Sequence, residues 1–578
     1  MSFALPPELT LCILSHLPLA SLAALQLTGR AWSTFFASNE PSIYRSSVIQ
    51  HLSLPESATF DELRECISHR AMAGVRDWKE LRQTQQRTER AWLGQAPSSV
   101  TSYPNTGRHV HRIKVDEQRG FVVVTAERGE LWQRLRVVDL ESGEVLWSLP
   151  SEYVTPWAHL EYDDGYIIFN RGGHSSEKEV WRLVTDGSDA ATALEAPPDE
   201  AQLRAAAALA PTALRFAPWA LLKPPPSEST RAFRFAYPTL IAASETMLYF
   251  WDVPSGALVQ SIPYSDVGEL NYVEVSRQPP EAGGLGLVCG TQALRGYSRA
   301  SGTCVLDIPS SQHFYADNAY SLSRTEHRWI DDWTRTSVLQ PEPTVHRRVS
   351  EGDGDSVLWD EFIAVHISEC GTHLVALLAS SRLIIVPSFR RIVDGTHTLR
   401  QIALDVQLGS PRGAARYLAF DCGRIGVATA TGVYVISLDW ERASASYTSV
   451  DAPPALCVTR AAYFNRGEEL SSISCLQLAP TGVYFNWIRL ESPQTSKQTH
   501  GGETLLPGLR LESTWLHSLK EVRSIAQLPN GNNVVQAFVL GPVASSSVVV
   551  SIDLARTLPV PAAESLAPFP SLEFCTSP

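Results

Sequence analysis

Three stretches of this chain align without a gap: Leu135-Arg-Val-Val-Asp-Leu-Glu-Ser-Gly-Glu-Val-Leu-Trp-Ser-Leu-Pro150, Leu248-Tyr-Phe-Trp-Asp-Val-Pro-Ser-Gly-Ala-Leu-Val-Gln-Ser-Ile-Pro263 and Leu294-Arg-Gly-Tyr-Ser-Arg-Ala-Ser-Gly-Thr-Cys-Val-Leu-Asp-Ile-Pro309. Each reads as a strand, a tight Ser-Gly turn and a second strand that ends in proline. Gly143, Gly256 and Gly302 can adopt the positive φ that a hairpin turn matched to strand twist requires. The closing prolines suit the outer strand of a sheet, where no ladder donor is needed. Ser255 to Ser301 spans 46 residues, close to the roughly 40–45 of a four-stranded propeller blade. Ser142 to Ser255 spans 113, two such periods with 21 residues over, and the surplus is expected in the Ala/Pro-rich stretch 187–233.

Working outward, further runs keep a strand, turn, strand rhythm without the Ser-Gly hairpin: Tyr162 to Val184, Val365 to Val386, Tyr417 to Leu438, Leu476 to Leu490 and Val534 to Leu554. The tally predicts a divergent β-propeller of about seven blades, with eight possible, over residues 101–556. Loop insertions are expected near 187–233 and 341–358, and a tail over 557–578. The second insertion holds Glu351-Gly-Asp-Gly-Asp355, read as a solvated loop because no glutamate follows at the EF-hand position.

The first hundred residues carry a different period. Leu9, Ile13 and Leu17 fall on one helical face after Pro6, Pro7 and Glu8; Leu19, Leu22 and Leu25 suggest a second short helix, and Ala31, Trp32, Phe35 and Phe36 a third. Helices this short cannot bury all of these groups alone, so some of that surface needs a partner or the rest of the chain. Residues 51–100 read as a helical linker, where Thr59 and Glu62 match a capping box. Arg70, Arg76, Lys79, Arg82, Arg87 and Arg90 make it basic, expected to be a solvated helix face. The fold class is therefore a short helical N-terminus and linker, followed by an all-β ring.

Composition narrows the function. A chain of 578 residues exceeds one ordinary core, and 44% hydrophobic with 19% charged residues is globular. The net charge of −13 disfavours nucleic acid and acidic membranes as partners. The apolar run Leu9 to Leu27 follows Glu8, has no preceding Lys or Arg, and is interrupted by His16 and Pro18, so neither a signal peptide nor a span is expected. Nine dispersed cysteines without a Cys-x-x-Cys pair read as reduced core thiols of a cytoplasmic or nuclear protein.

Catalytic signatures are missing: there is no Gly-x-Ser-x-Gly, P-loop, Gly-x-Gly-x-x-Gly or His-Glu-x-x-His. His109 and His111 could share a strand face, but no third ligand follows, so alternation on an exposed strand is expected. Asp163-Asp164 and Asp331-Asp332 are adjacent pairs, better suited to turns than to facing carboxylates. No enzyme activity, metal or cofactor is expected. Trp329 and Trp333, with Arg328 and Arg335, form an aromatic and basic cluster of the kind enriched at interfaces, a candidate substrate-binding loop unless it is blade core.

Leu5-Pro6-Pro7-Glu8-Leu9, followed by Ile13, Leu17, Leu22, Leu25, Arg30-Ala31-Trp32 and Phe35, resembles the F-box, with Tyr44 where many members have tryptophan. The continuation through Asp77-Trp78 to Trp92-Leu93-Gly94 and Val110 to Asp116 looks like fungal F-box proteins that run into a WD-type propeller, although only Trp251-Asp252 keeps the Trp-Asp pair. This resemblance implies that residues 1–50 bind the Skp-type adaptor of an SCF-type cullin ligase, with the propeller holding an unknown protein substrate. Leu5, Pro6, Leu9, Ile13, Leu17, Leu22, Leu25 and Trp32 would share helix packing and adaptor contact. A propeller scaffold docking elsewhere, unrelated to ubiquitin, is the alternative.

Overall fold

A computed structural model describes residues 5–52, 54–96, 98–128, 133–151, 153–171, 174–184, 194–209, 212, 214–226, 228–311, 315–324, 336–344, 360–410, 413–445, 456–461, 464–489, 523–527, 533–537 and 546–553.

The repeated hairpins form as the sequence indicates. Leu135–Pro150, Leu248–Pro263 and Leu294–Pro309 are the third and fourth strands of three separate antiparallel sheets. Gly143, Gly256 and Gly302 sit at φ 71°, 72° and 71°. The residue at the fifth position of each repeat anchors the turn: Asp139 accepts from Ser142 N and Oγ, Asp252 from Ser255 N and Oγ, and Ser298 Oγ from Ser301 N. A register shift follows the third repeat position in all three, at Val137/Val138, Phe250/Trp251 and Gly296/Tyr297. A bulge there increases local twist and bends the outer strand.

Among the described residues, seven four-stranded units result. Their innermost strands are Arg108–Asp116, Leu160–Asp163, Ala232–Ala236, Leu270–Val275, Phe362–Ile367, Ala415–Asp421 and Leu476–Ala479. Each packs against the next, and the seventh packs against the first, so the sheets close into a ring. The fold is a seven-bladed β-propeller. Its last blade takes its outermost strand from the beginning of the chain: Ser99–Tyr103 pairs antiparallel with Ser546–Asp553, which pairs in turn with Gly482–Arg489. Apolar faces of neighbouring blades supply the core, for example Phe121, Trp147, Phe169, Trp181 and Phe216 between the first and second.

The ring departs from sequence expectation in four places. The second blade's outer strand, Phe216–Leu222, lies inside the stretch 187–233 assigned to an insertion. Within that stretch a helix, Glu200–Ala207, is pinned by Gln202, whose amide nitrogen donates to Val180 O and Ala220 O where the register slips. A hairpin, Asn318–Arg324 with Thr336–Pro343, pairs parallel with the fifth blade's outer strand Leu404–Gln407 and antiparallel with the sixth blade's Leu456–Ala461. It fuses the two blades into one ten-stranded sheet, so residues 341–343 are strand rather than loop. Asn533–Ala537 pairs with Arg523–Gln527 outside the last blade, and among the described residues of the expected Val534–Leu554 run it is Ser546–Asp553 that joins the blade. The described cysteines are all free thiols, but Cys12, Cys304 and Cys370 are exposed rather than core.

Ahead of the ring stand six helices: α1 Pro7–Ser15, α2 Leu19–Leu27, α3 Arg30–His51, α4 Phe60–Cys66, α5 His69–Met72 and α6 Trp78–Trp92. The capping box at α4 forms, with Thr59 and Glu62 each satisfying the other's amide. The third helix is long, 22 residues, and continues through Pro41. Its Phe35, Phe36, Ile43 and Tyr44 enclose Leu14, Leu19 and Leu22, and its Val48 joins Leu63, Val75 and Leu81. Among the described residues no helix is long and apolar enough to cross a membrane.

Candidate functional site

The inward side of α1 is Thr10 and Leu14, not Leu9 and Ile13 of the expected stripe, because α3 packs against the former. Leu9 and Ile13 are left 53% and 51% exposed, with Leu5 at 45% and Pro6 exposed beside them. Leucines and isoleucines one turn apart on a single helix, uncovered together, make a contiguous apolar face of the kind that marks an interaction site. The other motif residues divide differently. Leu22 is fully enclosed and serves packing, while Leu17, Leu25 and Trp32 are half-buried against the same cluster. Trp32 meets Phe35 edge-on at 6.2 Å. Leu27, 85% exposed at the end of α2, was not singled out in the sequence, where it looks like one more leucine of the apolar run.

The linker holds this face at a set place on the ring. At the end of α6, Ala91 and Trp92 enter the apolar cluster formed by the sixth and seventh blades. Arg424, on the sixth blade, lies 4.8 Å over the Trp92 ring and pairs with Glu89. Within the linker, Arg82 is buried against Ser47 Oγ at 3.2 Å and Lys79 pairs with Glu40 at 2.8 Å. Arg70 is buried as well. The basic residues of the linker are therefore not one solvated face; Arg70 and Arg82 are structural, because long cationic side chains can bury their stems where the head finds an acceptor.

Around the axis, five of the seven inner strands contribute a charged or imidazole side chain to one belt. Lys114 and Arg234 both pair with Glu161 Oε2, at 2.8 and 3.0 Å; Arg234 also approaches Glu274 at 3.5 Å, and Glu274 holds His366 Nδ1. His366 Nε2 meets Leu418 O of the sixth inner strand at 3.0 Å, and Gln477 Oε1 of the seventh accepts Val115 N of the first at 2.9 Å. Burial alone would raise the Glu161 carboxyl, but Arg234, Lys114 and His159 together hold it well below the usual carboxylate range. Burial pushes His159 down to about 4 despite its bond to Glu161. Charges of alternating sign at this depth neutralise one another and fill the axis with mutual contacts. A small cavity remains there, lined by Lys114, Arg234, His366, Tyr417, Asp421 and Gln477.

The remaining sequence candidates are placed as follows. His111 is not on an exposed regular strand: His109 has φ 56°, the register slips between Val110 and Arg112, and His111 packs edge-on against Trp157 at 5.5 Å. Burial, then Arg112 and His159, push His111 down to about 3. Asp163 accepts Tyr237 N and pairs with Arg277, each at 2.9 Å, and Asp164 occupies the turn at φ 44°. No group of three metal-ligating side chains converges among the described residues. Arg328, Trp329, Asp331, Asp332, Trp333 and Arg335 lie outside the described residues, as do Glu351 to Asp355.

Residues 3–50 match the F-box-like family model. This N-terminal segment is an F-box-like domain. No curated protein matches the chain. The chain is similar in structure to the crystal structure of RRP9 WD40 repeats, with 9% identity, 68% of this chain and 91% of that chain covered, and a TM-score of 0.39. The F-box-like domain thus carries the exposed Leu5, Leu9 and Ile13, and the ring onto which α6 is packed is a propeller. The F-box-like domain is a protein-interaction module, and the packed linker joins it to the ring.

Proposed function

We propose that this protein is the substrate-recognition subunit of an SCF-type ubiquitin ligase. The F-box-like domain binds a Skp-type adaptor, which links it to a cullin scaffold, and the propeller binds the protein to be ubiquitinated. The observation that carries this reading is the uncovered face of Leu9 and Ile13 on α1, extended by Leu5 and Pro6 just ahead of it, on a helix whose opposite side is satisfied by its own domain. Such a face is there to be covered by another protein. On this reading the chain performs no bond chemistry. It raises the effective concentration of a target lysine near a charged conjugating enzyme, and the packed linker keeps that distance defined.

The test is co-purification of adaptor and cullin with the full chain and with an Ile13→Asp variant. Both partners are expected with the first and neither with the second. Capture of an unrelated partner through residues 1–50, without adaptor or cullin, overturns the proposal in favour of a scaffold outside the ubiquitin system.

A further inference from the structure

The strand that closes the ring, Ser99–Tyr103, follows α6 directly, so the helical linker arrives where the first and last blades meet. There Tyr103 and Tyr484 lie stacked, centroids 6.5 Å apart, in the core shared by Val122, Val124 and Val138 of the first blade with Cys475 and Ala479 of the last. Both hydroxyls accept from the same nitrogen of the linker: Arg70 Nη1 stands 2.7 Å from Tyr103 Oη and 2.8 Å from Tyr484 Oη. The Tyr484 hydroxyl donates its own proton to Glu117 Oε1 at 2.7 Å, on the turn between the first two strands of the first blade.

Glu117 is 3% exposed. Its carboxylate collects Thr481 Oγ1 at 2.6 Å and Thr481 N at 3.1 Å from the last blade, and Ser68 Oγ at 3.1 Å from the linker. Its backbone carbonyl accepts His69 N at 3.2 Å. Burial pushes this carboxyl up, against the pull of Thr481, Tyr484 and Arg70, and Arg70 is the cation that opposes it. The first blade, the last blade and α5 therefore meet at one buried acid, and the compensating charge comes from the linker. A buried carboxylate left without its cation is strongly destabilising. Closing the ring without the linker in place would create that state.

We propose that the linker is the latch of the propeller: Arg70 is a positioning residue that makes docking of the helices and closure of the ring one event. The F-box-like domain is then not hinged to the ring, because the residue that would have to release it also holds the first and last blades together.

Hydrogen exchange on the full chain tests this. Arg70→Met is expected to speed exchange at least tenfold at the amides of Ser99–Tyr103, Ser546–Asp553 and Gly482–Arg489, while the third and fourth blades, 232–309, keep wild-type rates. Adding Glu117→Gln removes the buried charge that needs a cation, so the double variant is expected to recover most of the protection, whereas a residue that only filled space would gain nothing. Arg70→Lys is expected to recover part of it. Unchanged exchange at the closing strands in Arg70→Met, acceleration spread evenly over all blades, or no recovery with Glu117→Gln would each overturn the latch.

Discussion

Trp92 Nε1 donates to the carbonyl oxygen of Pro480 at 3.4 Å, joining the last turn of α6 to the turn between the first two strands of the seventh blade. The bond fixes a ring that is 2% exposed and surrounded by Arg424 and the blade cluster. Trp92→Ala is expected to destabilise the protein by about 3–5 kcal/mol, since it removes a large buried side chain and leaves a cavity between blades. Urea unfolding should show a lowered midpoint with an unchanged slope.

Leu9 and Leu22 have the same side chain and opposite surroundings, which gives opposite predictions. Leu22→Ala is expected to cost about 2–5 kcal/mol in stability, as for other enclosed leucines. Leu9→Ala is expected to change stability by no more than about 0.5 kcal/mol, and to weaken adaptor capture if the proposed ligase role holds. Thermal unfolding and pull-down on the same two variants separate these effects.

Glu161 receives both Lys114 and Arg234 with its side chain 2% exposed. Glu161→Gln keeps the shape and removes the charge, leaving two cations facing a neutral group. A loss of about 3–5 kcal/mol is expected from breaking this buried set, measurable by chemical denaturation.

Lys178 is 1% exposed on the second blade, donating to Ser176 O at 3.0 Å and Thr230 Oγ1 at 2.9 Å, with the Phe233 ring 5.0 Å away. Burial pushes its ammonium down from 10.5 to about 7. Between those values the unfolded chain binds the proton and the folded chain does not, so stability rises with pH across that window and the cost is fully present below pH 7. Lys178→Met is expected to flatten this slope and to stabilise the protein near neutrality by a few kcal/mol, because each tenfold loss of proton affinity on folding corresponds to about 1.4 kcal/mol. Denaturation at pH 7 and pH 9.5 checks it; a steeper slope in the variant would contradict the assignment.

The blades were legible because a hairpin is local. The Ser-Gly turn, the side chain three residues before the serine that anchors it and the terminal proline lie within sixteen residues, and the φ of Gly143, Gly256 and Gly302 follows from them. The irregular elements were not legible. The hairpin Asn318–Arg324 with Thr336–Pro343 bridges two blades that follow it in the chain, and neither strand carries the repeat. The Ser99–Tyr103 strand is polar and short, and only its pairing with Ser546–Asp553 gives it a place in a sheet.

The same division holds for the docking surface. Spacing and residue type alone determined that the N-terminus is a set of short helices with more apolar side chains than they can bury, because helical period is a property of neighbouring residues. Which of those side chains face solvent was decided by tertiary packing: α3 covers Leu14 and Leu22 and leaves Leu9 and Ile13 bare. Likewise the sequence shows Arg70 as one cation of a basic run, while its partner Tyr484 stands 414 residues away. Burial and charge compensation depend on what the folded chain brings alongside a residue, and no local pattern encodes that.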